Sequence, residues 1–194
     1  MPADLRPGPD SPPTDELASA EATLGVLQQV LHTIASEDMS RQTPCTQYDV
    51  TQLTGHLLGS IISLGGMVGA EFPERKQNDS AERQVIGVAR PALDAWHRHG
   101  LEGNVPFGRG EIPAKGACAI LSLEFLVHGW DYAVAVGHNV NAPKSLAEYV
   151  LGLAHKVIKP EQRSSAGFDE PVDVSADASA LDQLIAFTGR NPAR

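Results

Sequence analysis

Residues 124–133 read Glu124-Phe125-Leu126-Val127-His128-Gly129-Trp130-Asp131-Tyr132-Ala133, inside an apolar segment running from 114 to 136. The segment contains no proline and stops at Gly137 or Asn139, residues that readily take a left-handed helix cap. The spacing therefore predicts one long helix. Successive helical residues lie about 100° apart. Glu124 and His128, four apart, are stacked one above the other, and Asp131 shares their face. Ala117, Ile120, Leu121 and Ala135 lie on that face too, and they are apolar. Two carboxylates and an imidazole thus project from a stripe expected to be buried. Burial of ionisable groups is costly unless they are paired or bind a metal.

A facing helix offers a third donor. Asp49 or Thr51 can cap a helix running to residue 68, with Leu53, Leu57, Ile61, Leu64 and Val68 as its apolar stripe. His56 falls at the edge of that stripe, turned inward, and Ser60 follows one turn later. His56, Glu124 and His128 together form a His/Glu/His set, the type that holds zinc while leaving one position open. Nickel, iron and manganese accept the same donors. Asp131 then either orients an imidazole as a hydrogen-bond acceptor or acts as an additional catalytic acid or base. The plainer alternative makes Glu124 and His128 an i,i+4 ion pair and His56 a semi-buried histidine.

The surrounding chain predicts more helices. Thr14 or Asp15 caps one over 14–36, with Leu17, Leu24, Leu27, Leu31 and Ile34 at helical spacing. Another spans 81–99, a Gly-rich loop with a short extended piece covers 100–113, and a further helix covers 143–158 with Pro143 in its first turn. Residues 1–13 hold five of the fourteen prolines and read as a disordered arm. Residues 14–160 read as a metal-binding helical bundle. Residues 161–194 form a tail with a strand at 171–174 and a helix at 178–187, packed on the bundle. Strand patterning is sparse, so the expected class is all-α.

Composition narrows the partners. The 194 residues carry a formal charge of -9, which argues against a nucleic-acid phosphate backbone. No apolar run approaching a bilayer span and no leader pattern is recognised, so a cytoplasmic protein without a membrane partner is expected, as monomer or homodimer. Two cysteines, Cys45 and Cys118, without a CxxC motif, predict free thiols. Cys45 reads as part of a Pro-Cys turn that fixes entry to the second helix, and Cys118 as core filler. Trp130 points away from Glu124 and reads as packing. His97, His99 and Arg109 read as solvated, and His32, His138 and His155 lack a partner at ligand spacing. The sequon at Asn78-Asp79-Ser80 has no meaning in a cytoplasmic protein.

Local words add a resemblance. Residues 43–57, Thr43-Pro44-Cys45 through Tyr48, Val50, Leu53, His56 and Leu57, look like the pattern TPCxxWxVxxLxxHL. The 124–133 segment looks like E-x-L-V-H-x-W-D-L-A, and the tail through Gly189-Arg190-Asn191-Pro192 is similar to the ending of one subgroup. Over 16–192 the chain resembles the DinB/mycothiol-dependent maleylpyruvate isomerase family. That resemblance implies a DinB-like four-helix bundle with a short C-terminal appendage. It also implies a divalent metal, usually zinc, at His56, Glu124 and His128. Some members use the thiol mycothiol as cosubstrate, isomerising maleylpyruvate or transferring the thiol to electrophiles. Two departures are Tyr48 in place of Trp, and a short tail where isomerase members carry a further domain. The function expected is a metal- and thiol-dependent transferase or isomerase acting on a small electrophile. The alternatives are a non-enzymatic metal-binding or sensor module, and a purely structural bundle.

Overall fold

The computed structural model describes residues 10–74, 76, 78–164 and 167–193. These residues form six α-helices and one two-stranded sheet. The helices are α1 (Glu16–Leu31), α2 (Val50–Gly66), α3 (Ala81–His99), α4 (Ala114–Val136), α5 (Lys144–Val157) and α6 (Ala180–Phe187). Strands β1 (Asn104–Phe107) and β2 (Gly110–Pro113) pair antiparallel between α3 and α4. The protein is thus mostly helical, as expected.

Helix α4 is the centre. It packs most extensively on α1 and also meets α2, α5 and α6, while α2 packs on α3. Sixteen of its residues are buried, on every side of the helix. The expectation that no apolar run approaches a bilayer span needs correction: by length and composition α4 could cross a membrane. Here its apolar surface forms the core, most of it buried inside the fold. Two buried polar contacts fix its neighbours: Tyr132 donates to Thr54 Oγ1 of α2 at 2.9 Å, and Ser122 donates to Ser19 Oγ of α1 at 2.9 Å.

Local chemistry sets the boundaries. Ser80 caps α3 by accepting from the Arg83 N–H, and the left-handed Gly137 closes α4. Asp49 caps α2 in a reciprocal box with Gln52. Helix α1 stops at Leu31, five residues before the expected end at Ser36. There the Thr33 hydroxyl donates to the Val30 carbonyl and the Asp38 side chain accepts from the Ala35 N–H. These local bonds compete with helix continuation. The loop at 100–113 contains the β1–β2 hairpin, whose two-residue turn places Gly108 at φ 59°.

Two expectations concern the ends. The disordered arm at 1–13 falls mostly outside the described residues, and residues 10–13 have no regular structure beyond a turn at Asp10. The strand expected at 171–174 does not form, because no neighbouring strand is available to it. Val172 N–H instead donates to the Ala186 carbonyl at the end of α6. Helix α6 itself forms and buries Leu184 and Ile185 in a second core with Trp130 and Val150. Trp130 is therefore a packing residue, as expected.

Cys118 is fully buried in the main core, and burial pushes its thiol up to about 12. Native protein at pH 8 is expected to leave Cys118 unmodified by iodoacetamide, with alkylation appearing only on unfolding. Peptide mass spectrometry of both states checks this.

Candidate metal centre

The three predicted donors converge. His56 Nε2 and His128 Nε2 each lie 3.6 Å from the same atom, Glu124 Oε2. The donor atoms of all three residues fall within 4.8 Å of one another. This is the one such metal-ligating group among the described residues. The two imidazole rings meet edge to face, with centroids 5.1 Å apart. Helices α2 and α4 bring them together, and the inward turn of His56 places it where its register requires.

Glu124 Oε2 is buried and has no hydrogen-bond partner. At 3.6 Å neither imidazole hydrogen-bonds to it, so this buried atom has two imidazoles at ion-pair distance and no hydrogen bond of its own. Donors each about 2.0–2.2 Å from one zinc ion lie roughly 3.3–3.6 Å apart across a tetrahedral angle. The observed spacing suits a shared cation. Burial pushes the Glu124 carboxyl up, but the His56 and His128 imidazoles outweigh burial, with help from Ser60, and hold it below its usual range. His56 is raised above 6.5, mainly by the Glu124 carboxylate and against the effect of burial.

The His56 shift has a sign that can be tested. A folded-state value above 6.5 adds stability to the metal-free protein below pH 6.5, and that stability is lost as pH rises through the folded value. Urea midpoints of metal-free wild type and His56→Gln are expected to differ more at pH 6 than at pH 8.5, in favour of wild type.

Asp131 lies beside the donors. Its side chain is fully buried, and Oδ2 accepts the Nδ1–H of His128 at 2.9 Å. This bond fixes the ring so that Nε2 faces the cluster. Arg190 closes on Asp131 from the other side: Nε reaches Oδ1 at 2.8 Å and Nη2 reaches Oδ2 at 2.8 Å. Burial raises the Asp131 carboxyl, but His128 and Arg190 together hold it below its usual range. Both Asp131 oxygens accept hydrogen bonds, one from His128 and both from Arg190.

Sequence reasoning missed Arg190 as a site residue. It stands in the quoted tail, but nothing in a sequence links it to a carboxylate 59 positions earlier. Tyr48 was also undervalued. Its ring stacks on His56 at 5.1 Å between centroids and 23° between planes, so the Trp-to-Tyr departure keeps an aromatic platform against a donor. The turn at 43–48 delivers it: Thr43 donates to the Tyr48 carbonyl at 2.7 Å, and Tyr48 N–H to the Cys45 carbonyl at 2.8 Å.

The cluster opens on a pocket of about 210 Å³. Ile120, Leu123 and Val127 of α4 face Ile158 and Phe168 from the end of α5 and the tail, and Lys159 and Cys45 add polar wall. Lys159 makes no ion pair among the described residues. Cys45 is half-buried, and burial pushes its thiol up, partly offset by Arg190. The remaining histidines stay apart from the site. His97 pairs with Glu21 and His32 with Glu82 on exposed surface, while His155 packs on Phe187. Arg109 is exposed in the hairpin turn.

The chain is similar to two curated relatives, uncharacterized protein MT0763 of Mycobacterium tuberculosis (strain CDC 1551 / Oshkosh) and uncharacterized protein Rv0738 of Mycobacterium tuberculosis (strain ATCC 25618 / H37Rv). Each is 23% identical over 179 residues, spanning 91% of this chain and 98% of the relative. No family model matches, and no solved structure matches. Over nearly its whole length, then, this chain is similar to mycobacterial proteins whose names assign no activity.

Proposed function

We propose that the protein binds one divalent cation at His56, Glu124 and His128 in a DinB-like four-helix bundle, and uses it to join or rearrange a low-molecular-weight thiol and a small electrophile. The observation that carries this reading is the buried Glu124 Oε2, which accepts no hydrogen bond and lies 3.6 Å from two imidazole nitrogens. Nitrogen and carboxylate donors favour zinc. A zinc ion with an open position supplies Lewis acidity, which lowers the pKa of a thiol toward neutrality. Mycothiol is the thiol that the resembled family suggests.

The protein's own residues do the rest. Asp131 and Tyr48 hold the two imidazoles, so the donors are arranged before any ion arrives. The α4 wall gives an apolar body of the electrophile a dry seat, and Lys159 offers a cation to an anionic substituent. The pocket favours this reading over a sealed sensor module, because it leaves room for substrates beside the donors. The test is to incubate zinc-loaded protein with mycothiol and a model electrophile such as maleylpyruvate or a monohalobimane. Consumption of the electrophile faster than in buffer, abolished in Glu124→Gln, is expected. A rate equal to buffer would count against thiol chemistry and leave the non-enzymatic metal-binding module as the better reading.

A further inference from the structure

A residue of the C-terminal segment holds the residue that holds a metal donor. Arg190 lies beyond α6, and His128 lies in α4. Between them stands Asp131, whose Oδ2 accepts from both His128 Nδ1 and Arg190 Nη2 at 2.9 and 2.8 Å, and whose Oδ1 accepts from Arg190 Nε at 2.8 Å. All three side chains are buried, at 7%, 0% and 9% exposure for His128, Asp131 and Arg190. Water therefore cannot easily replace either contact. If the guanidinium leaves, a buried carboxylate keeps only the His128 hydrogen bond, and its rotation carries the imidazole with it.

The segment around Arg190 is held tightly enough for its placement to matter. Gly189 has φ +87°, and a Cβ there would come within 2.6 Å of the Asp169 side chain. A residue other than glycine would be strained in its backbone and would collide with its neighbour. Arg163, also buried, reaches the carbonyls of Asp169 and Phe187, binding both sides of that contact together. Leu184 and Ile185 of α6 anchor the segment on the second core. The fork of Arg190 thus arrives at Asp131 only when 167–190 is docked.

We propose that Arg190 is a positioning residue that couples docking of the C-terminal segment to retention of the cation at His56, Glu124 and His128. The proposal rests on the metal-binding reading above. Coupling of this kind is reciprocal. A docked segment tightens the cation site through His128, and an occupied site holds the segment down by the same factor. An agent that lifts α6 would release the metal.

The test uses the full chain, metal-stripped and zinc-loaded, with two readouts. Zinc affinity is measured by competition with a chromophoric chelator, in wild type and Arg190→Gln. Amide hydrogen exchange is followed across residues 180–193 and across α3. In wild type, zinc is expected to slow exchange in 180–193 by about 10-fold or more. Arg190→Gln is expected to weaken zinc binding about 10-fold, the lower end of the effect of losing a ligating histidine's direct outer partner, because Arg190 acts one residue further out through Asp131. Zinc that merely stabilised the whole fold would slow exchange in 180–193 no more than in α3, so slowing of 180–193 in excess of α3 is the readout of coupling. Zinc binding without that excess slowing, or a folded Arg190→Gln that binds zinc as wild type does, would overturn the coupling and leave the metal site standing. Wild type that binds no zinc would overturn both. If Arg190→Gln fails to fold, the wild-type exchange comparison decides alone.

Discussion

Replacing Asp131 with alanine is expected to lower the free energy of unfolding by about 3–5 kcal/mol, the usual consequence of removing one partner of a buried ion pair. Asp131 is fully buried, and Arg190 and His128 bond to it from opposite sides. Without the carboxylate, the Arg190 guanidinium stays buried with its fork unfilled. Chemical denaturation of metal-free protein at neutral pH measures the loss. Its pH dependence has a definite sign. The carboxyl sits below its ordinary 3.8 in the folded state, so its contribution is present above pH 3.8 and fades as pH falls through the folded value. The gap between wild type and the alanine variant is therefore expected to narrow only in strong acid. A gap under 1 kcal/mol at neutral pH would show that the Arg190–Asp131 fork is dispensable.

Zinc at a thousandfold excess over its dissociation constant is expected to raise the free energy of unfolding of wild type by about 4 kcal/mol, as mass action requires of a ligand that binds only the folded state. The donors come from α2 and α4, more than sixty residues apart in the chain, so the unfolded chain offers no comparable site. Glu124→Gln keeps the shape of the side chain but removes the anionic donor. In that variant the zinc-dependent gain is expected to disappear. Urea titrations with and without zinc, at equal protein concentration, provide the comparison. An equal gain in both proteins would place the bound zinc elsewhere.

Much of the site was legible in the sequence because it rests on local periodicity. Glu124, His128 and Asp131 share a face through i,i+4 and i,i+3 spacing, and α4 runs over the residues that its apolar run defines. Helix α3 likewise covers the expected 81–99, and the structure adds the Ser80 cap that begins it. Periodicity on α2 also turned His56 inward, although the meeting of α2 with α4 is a tertiary fact. What stayed hidden depends on contacts between distant segments. The Arg190–Asp131 fork spans the chain from tail to core, and the stacking of Tyr48 on His56 depends on how one turn folds back. The tail strand failed for a related reason: residues 171–174 look extended, but a strand needs a partner, and the fold supplies only the end of α6. Helix α1 ended early because Thr33 and Asp38 offered the backbone other bonds.

The central claim is that His56, Glu124 and His128 grip one divalent cation. Calorimetric titration of zinc into metal-stripped wild type and His56→Ala tests it most directly. The predicted result is one equivalent bound by wild type and an affinity at least about 100-fold weaker in the variant, since a lost ligand should exceed the loss of an outer partner. No binding by wild type, or one equivalent bound by His56→Ala with unchanged affinity, would contradict it.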